Sequence, residues 1–150
     1  MAMNTHRLQP VRPMPATRVR TVVVNDSPFM LKILAQTLQE AGGFDLVGTA
    51  TNGYQALRHV SALSPELVLM DIHMPGLNGI EATRCMKHSE HAPVVVLISS
   101  DSVAATKSLA EQAGADGFVR KGGNFRHLLI SALKKLCGRS GALESRKAKR

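Results

Sequence analysis

Five short aliphatic runs, Thr21–Val24, Leu46–Ala50, Leu67–Met70, Val94–Ile98 and Gly117–Val119, alternate with longer segments of helical period. This alternation constrains the chain more than any other feature in it. Strands that alternate with amphipathic helices read as βαβ units, in which the strands run parallel and the helices cross over between them. The runs are rich in Val and Ile and apolar on successive residues, which suits strands covered by helices on both faces.

The helical segments carry their own start and stop signals. Ser27 is placed to cap a first helix, with Pro28 at its first position, Met30, Ile33, Leu34, Thr37 and Leu38 on one face, and Gly42-Gly43 as the stop. A second helix is expected at about Tyr54–Leu63 and a third from Asn78-Gly79 through Met86. A more polar fourth is expected at about Val103–Gln112, and a fifth, presenting Leu128, Leu129, Ala132, Leu133 and Leu136, at Phe125–Cys137. Right-handed crossovers leave few topologies for such a series. The expected fold is α/β, a (βα)5 doubly wound parallel five-stranded sheet with the flavodoxin-like strand order 2-1-3-4-5.

Charge divides the chain into three parts. The formal net charge is +8, which taken alone points to nucleic acid or an anionic surface. Residues 1–20 hold four arginines and no acid, and residues 139–150 hold five bases against Glu144, whereas the stretch between is balanced at ten bases and ten acids. Residues 1–18, with Pro10, Pro13 and Pro15 and no apolar period, read as a disordered basic leader, residues 19–138 as the folded domain, and residues 139–150 as a disordered basic tail. Neither end interleaves aromatics with its bases, so nucleic-acid contact is expected only weakly, through the ends, and with a steep dependence on salt. No apolar run approaches the ~20 residues that cross a bilayer, and no secretory signal opens the chain, so a cytoplasmic protein is expected. Cys85 and Cys137 lack metal-ligand spacing and read as reduced packing thiols.

In an open parallel sheet, ligands gather beyond the carboxyl ends of the strands. The first run is followed by Asn25-Asp26, the third by Asp71, the fourth by Ser99-Ser100 and the fifth by Arg120-Lys121. Two carboxylates, a hydroxyl and an ammonium therefore converge on one rim. The carboxylates are hard oxygen ligands for Mg²⁺, which takes few protein ligands and keeps several waters. The hydroxyl and the ammonium suit the oxygens of a phosphoryl group. Phosphoryl transfer asks for positioning and charge stabilisation more than for covalent chemistry, and the set specifies a phosphorylatable aspartate.

The run from Asp71 to Gly79, Asp-Ile-His-Met-Pro-Gly-Leu-Asn-Gly, preceded by Leu67-Val68-Leu69-Met70, resembles the phosphoacceptor signature of two-component response-regulator receiver domains. The resemblance extends from Thr21 to about Cys137 and includes Val22–Ser27, Pro93–Ser99 and Gly114–Lys121 in the family's order and spacing. Ser99, which precedes Lys121 by 22 residues, takes the family's hydroxyl register in preference to Ser100. The resemblance implies that Asp71 accepts phosphate from a sensor histidine kinase or phosphotransfer protein. It implies that Asp26 and Asp71 bind Mg²⁺ by side chain and His73 by its backbone carbonyl, with Asn25 acting indirectly. Ser99, Lys121 and Phe118 are then the phosphoryl-binding and switch residues, and the surface that answers a downstream protein effector is the fourth helix, fifth strand and fifth helix. Asp101, two residues past Ser99, and His73 are candidates for tuning dephosphorylation by admitting or blocking water. The stretches Asn25–Met30 and Leu97–Ser100 look most like receivers of the chemotaxis methylesterase type, without the esterase domain.

Two departures from the family pattern stand out. Asn25-Asp26 replaces the usual pair of acids, which is expected to weaken Mg²⁺ attraction and raise the Mg²⁺ requirement of phosphorylation. Gly122 follows Lys121 where the family has proline, so the loop that presents Lys121 is expected to be looser. The leading expectation is a stand-alone, monomeric, non-enzymatic receiver. Two alternatives remain open: a pseudo-receiver that binds partners without phosphorylation, and an aspartate-nucleophile phosphatase. The phosphatase reading lacks an Asp-x-Asp after the first strand, and a flavin-binding reading lacks a phosphate loop there.

Overall fold

The aliphatic runs become strands because alternate side chains can be buried on both faces of one sheet. In the computed structural model, which describes residues 18–101 and 104–137, the order is β1 (Val19–Val24), α1 (Pro28–Ala41), β2 (Phe44–Ala50), α2 (Gly53–Leu63), β3 (Leu67–Asp71), α3 (Gly79–Lys87), β4 (Val94–Ser99), α4 (Ala104–Gln112), β5 (Gly117–Arg120) and α5 (Phe125–Cys137). All four strand pairings are parallel, in the order β2-β1-β3-β4-β5. This is the expected α/β topology. Residues 1–17, residues 138–150 and Val103 at the expected start of the fourth helix lie outside the described residues.

The period of two sorts the core into two layers. Val22, Val24, Val68, Met70, Val95 and Leu97 face one side, where Ala56 of α2, Ala82 and Met86 of α3 and Ala110 of α4 close over them. Val23, Leu67, Leu69, Val94, Val96 and Ile98 face the other, against Leu34 and Leu38 of α1 and Leu129 and Leu133 of α5. The first helix starts and stops as its signals require: Ser27 Oγ accepts from Met30 N–H, and Gly42, at φ 73°, returns its N–H to Leu38 O.

Three expectations need correction. The fifth helix buries Phe125, Leu129, Leu133 and Cys137, a spacing of four, which leaves Leu128 43% exposed. Cys85 is exposed on α3, whose inward face is set by Gly79, Ala82, Thr83 and Met86; Cys137 is the buried thiol. The second strand is not covered on both faces: as the sheet edge it is half-exposed, and its pairing with β1 shifts between Thr21 and Val22, passing over Val47.

A part-buried ion pair ties the amino-terminal ends of β4 and β5 to α3. Lys87 Nζ donates to Asp116 Oδ2 and to Pro93 O, both at 2.7 Å, while Asp116 Oδ2 accepts from Val95 N–H at 2.9 Å. With this end latched, the carboxyl ends of the strands are free to carry polar groups.

Candidate functional site

Asp71 ends β3, the central strand, and is buried to 5% exposure. The strand does not simply stop there. Ile72 N–H donates to Ile98 O at 2.9 Å and Ile72 O accepts from Gly79 N–H at 2.8 Å, so the backbone on both sides of Asp71 is held. The start of α3 therefore lies against β3. A Cβ on Gly79 would stand 2.3 Å from Asp71 O and 2.9 Å from Ile72 Cα, so only glycine permits this approach. The neighbouring Asn78 caps the helix through Glu81 N–H at 2.9 Å.

Among the described residues, three donors reach the Asp71 carboxylate. Asn25 Nδ2 and Lys121 Nζ both donate to Oδ2 at 3.3 Å, and His73 N–H makes a longer contact to Oδ1 at 3.4 Å. Asn25 is carried there by the end of β1, whose ladder continues one residue further through Asn25 N–H to Ala50 O. Lys121 leaves β5 with its N–H on Ser99 O at 2.8 Å, and Gly122 O then accepts from Phe125 N–H at 3.0 Å. Gly122 and Gly123 sit at negative φ with open space where a Cβ would be, so no special backbone angle is asked of the loop after Lys121.

Ser99 ends β4, fully buried, beside the exposed Ser100. Its Oγ accepts from Asp101 N–H at 3.0 Å, which leaves the hydroxyl proton available to an acceptor. Asp101 Oδ2 meets His73 Nε2 at 2.8 Å, so a side-chain bridge joins the loop after β3 to the loop after β4. Asp26 stands exposed at the exit of β1. Phe118 on β5 is half-buried against the α2–α4 layer, beside a cavity of about 230 Å³ that Lys107, Glu111 and Asp116 also line.

The sequence puts Asn25, Asp26, Asp71, Ser99 and Lys121 at the strand exits of one rim. In the structure Asn25 and Lys121 touch the Asp71 carboxylate, Ser99 ends the neighbouring strand β4, and Asp26 is exposed beside Asn25. Sequence reading missed the donation from Asn25 to Asp71 and the closeness of Gly79 to Asp71 O. The Asn-Gly pair that begins the third helix was the signal for the second. His73 and Asp101 were singled out separately, and their contact was not legible because they are 28 residues apart.

The donor set fits a hard divalent cation. Among the described residues no cluster of three or more His, Cys, Asp and Glu side chains forms a cage. Mg²⁺ asks for less, since one or two carboxylates, a carbonyl and retained waters suffice. Asp71 and Asp26 with the His73 carbonyl would supply that set.

Comparison with known proteins agrees with this fold. A family model described as the response regulator receiver domain matches residues 21–133. The chain is 41% identical over 104 residues to protein-glutamate methylesterase/protein-glutamine glutaminase 5 of Myxococcus xanthus, a match that covers 69% of this chain and 30% of that protein. Among solved structures it is similar to the signal receiver domain of the putative response regulator NarL from Mycobacterium tuberculosis, with TM-score 0.75, 31% identity and coverage of 80% of this chain and 96% of that one. It is also similar to the response regulator domain of Thermotoga maritima CheB, with TM-score 0.70, 30% identity and coverage of 85% and 97%. The chain thus spans about a third of the length of the methylesterases it matches.

Proposed function

The chain belongs to the response-regulator receiver family, and on that premise we propose that it is a phosphorylation-controlled signalling module whose phosphoacceptor is Asp71. The observation that carries this reading is the convergence of Lys121 Nζ and Asn25 Nδ2 on one oxygen of a buried carboxylate at the carboxyl edge of the sheet. A carboxylate oxygen of Asp71 attacks the phosphorus of a phosphohistidine on a sensor kinase or phosphotransfer protein. The N–P bond breaks, an acyl phosphate forms, and the imidazole leaves with its electron pair and takes up a proton.

Asp26, Asp71 and the His73 carbonyl would hold Mg²⁺, which when bound would supply positive charge against the phosphoryl oxygens. Lys121 pairs with one of those oxygens as a point charge. The Ser99 hydroxyl donates to another, giving up its contact with Asp101 N–H as it turns. Phe118 fills the space that Ser99 vacates, and the surface of α4, β5 and α5 changes for a downstream protein effector. Phe118 carries no hydroxyl, so its inward position needs no polar partner. The His73–Asp101 bridge tunes how readily water reaches the acyl phosphate.

In this reading the protein is a monomer of the cytoplasm, and its output is binding, not turnover. Contact with nucleic acid is confined to weak attraction by the basic ends. Among the described residues no helix is long and apolar enough to cross a membrane.

Incubation with a small phosphodonor and Mg²⁺, followed by intact mass, tests the proposal. One phosphoryl group per chain is expected, and none on Asp71→Asn. Many turnovers of the donor would mark an aspartate-nucleophile phosphatase, and no adduct would mark an interaction module that does not use phosphate. Asn25, a neutral group in place of a carboxylate, is what keeps that last alternative in view.

A further inference from the structure

We propose that Asn25 is a positioning donor for Asp71 and not a ligand of the divalent cation; the inference rests on Asp71 being the phosphoacceptor. The Asn25 side chain is 1% exposed, so each of its polar atoms needs a partner inside the protein. Its Oδ1 accepts from Ser27 N–H at 2.9 Å, and its Nδ2 donates to Asp71 Oδ2 at 3.3 Å. The two contacts fix the amide's orientation independently. Turned by 180°, the side chain would point an NH₂ at a backbone N–H and an acceptor oxygen at a carboxylate oxygen, and both contacts would become repulsive.

The Ser27 contact is tied to the start of α1. Ser27 is the cap residue of that helix, with its Oγ on Met30 N–H, and its own N–H is the donor that holds Asn25. For Asn25 to turn its oxygen to a cation, it would have to release Ser27 N–H and withdraw its donor from Asp71. The amide therefore faces Asp71 as a hydrogen-bond donor before any cation arrives.

This has a consequence for Asp71. Its Oδ2 is shared by the Asn25 amide and the Lys121 ammonium, while among the described residues Oδ1 has only the long contact from His73 N–H. The carboxylate is oriented by the chain's own donors, and Oδ1 retains the greater lone-pair capacity. An aspartate at position 25 could not donate at all. The chain thus exchanges one carboxylate at the rim for a fixed orientation of its phosphoacceptor that does not wait on the metal.

Asn25→Ala separates positioning from ligation. Mg²⁺ affinity is measured by calorimetry on the unphosphorylated full chain, and the adduct-formation rate at saturating Mg²⁺ by intact mass. The expected result is an Mg²⁺ affinity unchanged within about twofold and a saturating rate lowered roughly tenfold, the equivalent of ~1.4 kcal/mol. A loss of Mg²⁺ affinity with the saturating rate preserved would make Asn25 a ligand and overturn the proposal. A second measurement does not depend on that variant folding. In nitrogen-15 spectra of the cation-free wild type, the Asn25 side-chain amide should be shifted and protected from exchange, and Asp71→Ala should abolish both. An amide that exchanges freely in the wild type would refute the inference. Both unphosphorylated readouts decide the role of Asn25 even if no phosphoryl adduct forms, which would instead reject Asp71 as the acceptor.

Discussion

The two oxygens of Asp71 are in different surroundings, and much of the chemistry at the rim follows from that inequality. Asn25 and Lys121 hold Oδ2, so the carboxylate has a preferred orientation without a cation. Replacing the amide by a carboxylate adds a negative charge beside Asp71 and removes a donor. Asn25→Asp should therefore lower the Mg²⁺ concentration at which phosphorylation is half-maximal, by roughly tenfold or more for an added ligand charge. An unchanged Mg²⁺ requirement would contradict this account of the departure from the family pattern.

The thiols differ for reasons of burial. Cys137 is pushed up to about 11 from 9.0, by burial first and then by the charges of Glu66 and Asp116. A raised folded value means that the native state keeps its proton where the unfolded thiol has lost it. The stability this group contributes is whole below pH 9 and is lost as pH rises toward 11. Cys137→Ala should accordingly flatten the fall of Tm across that window relative to wild type. Native alkylation at pH 8 should label the exposed Cys85 and spare Cys137. Labelling of both at equal rates would contradict the packing of α5.

At the scale of elements, the site depends on how closely α3 and the two loops approach β3. Gly79 leaves no room for a Cβ against Asp71 O. Gly79→Ala should destabilise the fold by roughly 1–3 kcal/mol, the range for forcing extra volume into a packed place. It should slow adduct formation as well if Asp71 is the acceptor, because the displaced atom is the Asp71 carbonyl oxygen. Denaturant unfolding and adduct kinetics together check this, and an unaffected stability would mean that α3 can move away freely. The His73–Asp101 bridge spans the two loops at 2.8 Å. His73→Ala and Asp101→Ala should each shorten the lifetime of the phosphoryl adduct by a factor of about two to ten, in line with an exchangeable hydrogen bond worth ~0.5–1.5 kcal/mol. The double variant should show no further loss, since both remove the same bridge. Independent, additive effects would dismiss the bridge as a unit.

Most of the elements were legible because the chain marks them locally. Ser27-Pro28 and Gly42 bound α1, and the Val-rich runs fall in the three central strands, where both faces are buried. The edge strand β2 was the least legible, since one side of it meets solvent and its apolar pattern is broken by a register shift. Leu128 misled because its neighbour Leu129 competes for the same face, and only packing against β4 and β5 decides between them. The positions of Asp71, Ser99 and Lys121 could be read from strand ends, whereas contacts across loops, such as Asn25 with Asp71, depend on side-chain directions that spacing does not carry.

For the molecule as a whole, the polar groups are segregated by the sheet. The Lys87–Asp116 pair ties the amino-terminal ends of β4 and β5 to α3, and the opposite ends carry the Asp71–Lys121 pair and the His73–Asp101 bridge of the rim. Two apolar layers between them connect that rim to the helices on both sides. The net charge of +8 does not belong to this body, where bases and acids balance between residues 21 and 138. The excess positive charge belongs to residues 1–20 and 139–150.

The central claim is that the carboxylate ending β3 becomes an acyl phosphate, and locating that bond is the most direct test. After exposure to a phosphodonor and Mg²⁺, reduction with borohydride converts an acyl phosphate to the corresponding alcohol, which peptide sequencing by mass spectrometry assigns to one position. The reduced residue is expected at Asp71 and nowhere else. A label at Asp26, at another residue, or absent altogether while the protein remains folded would contradict the account.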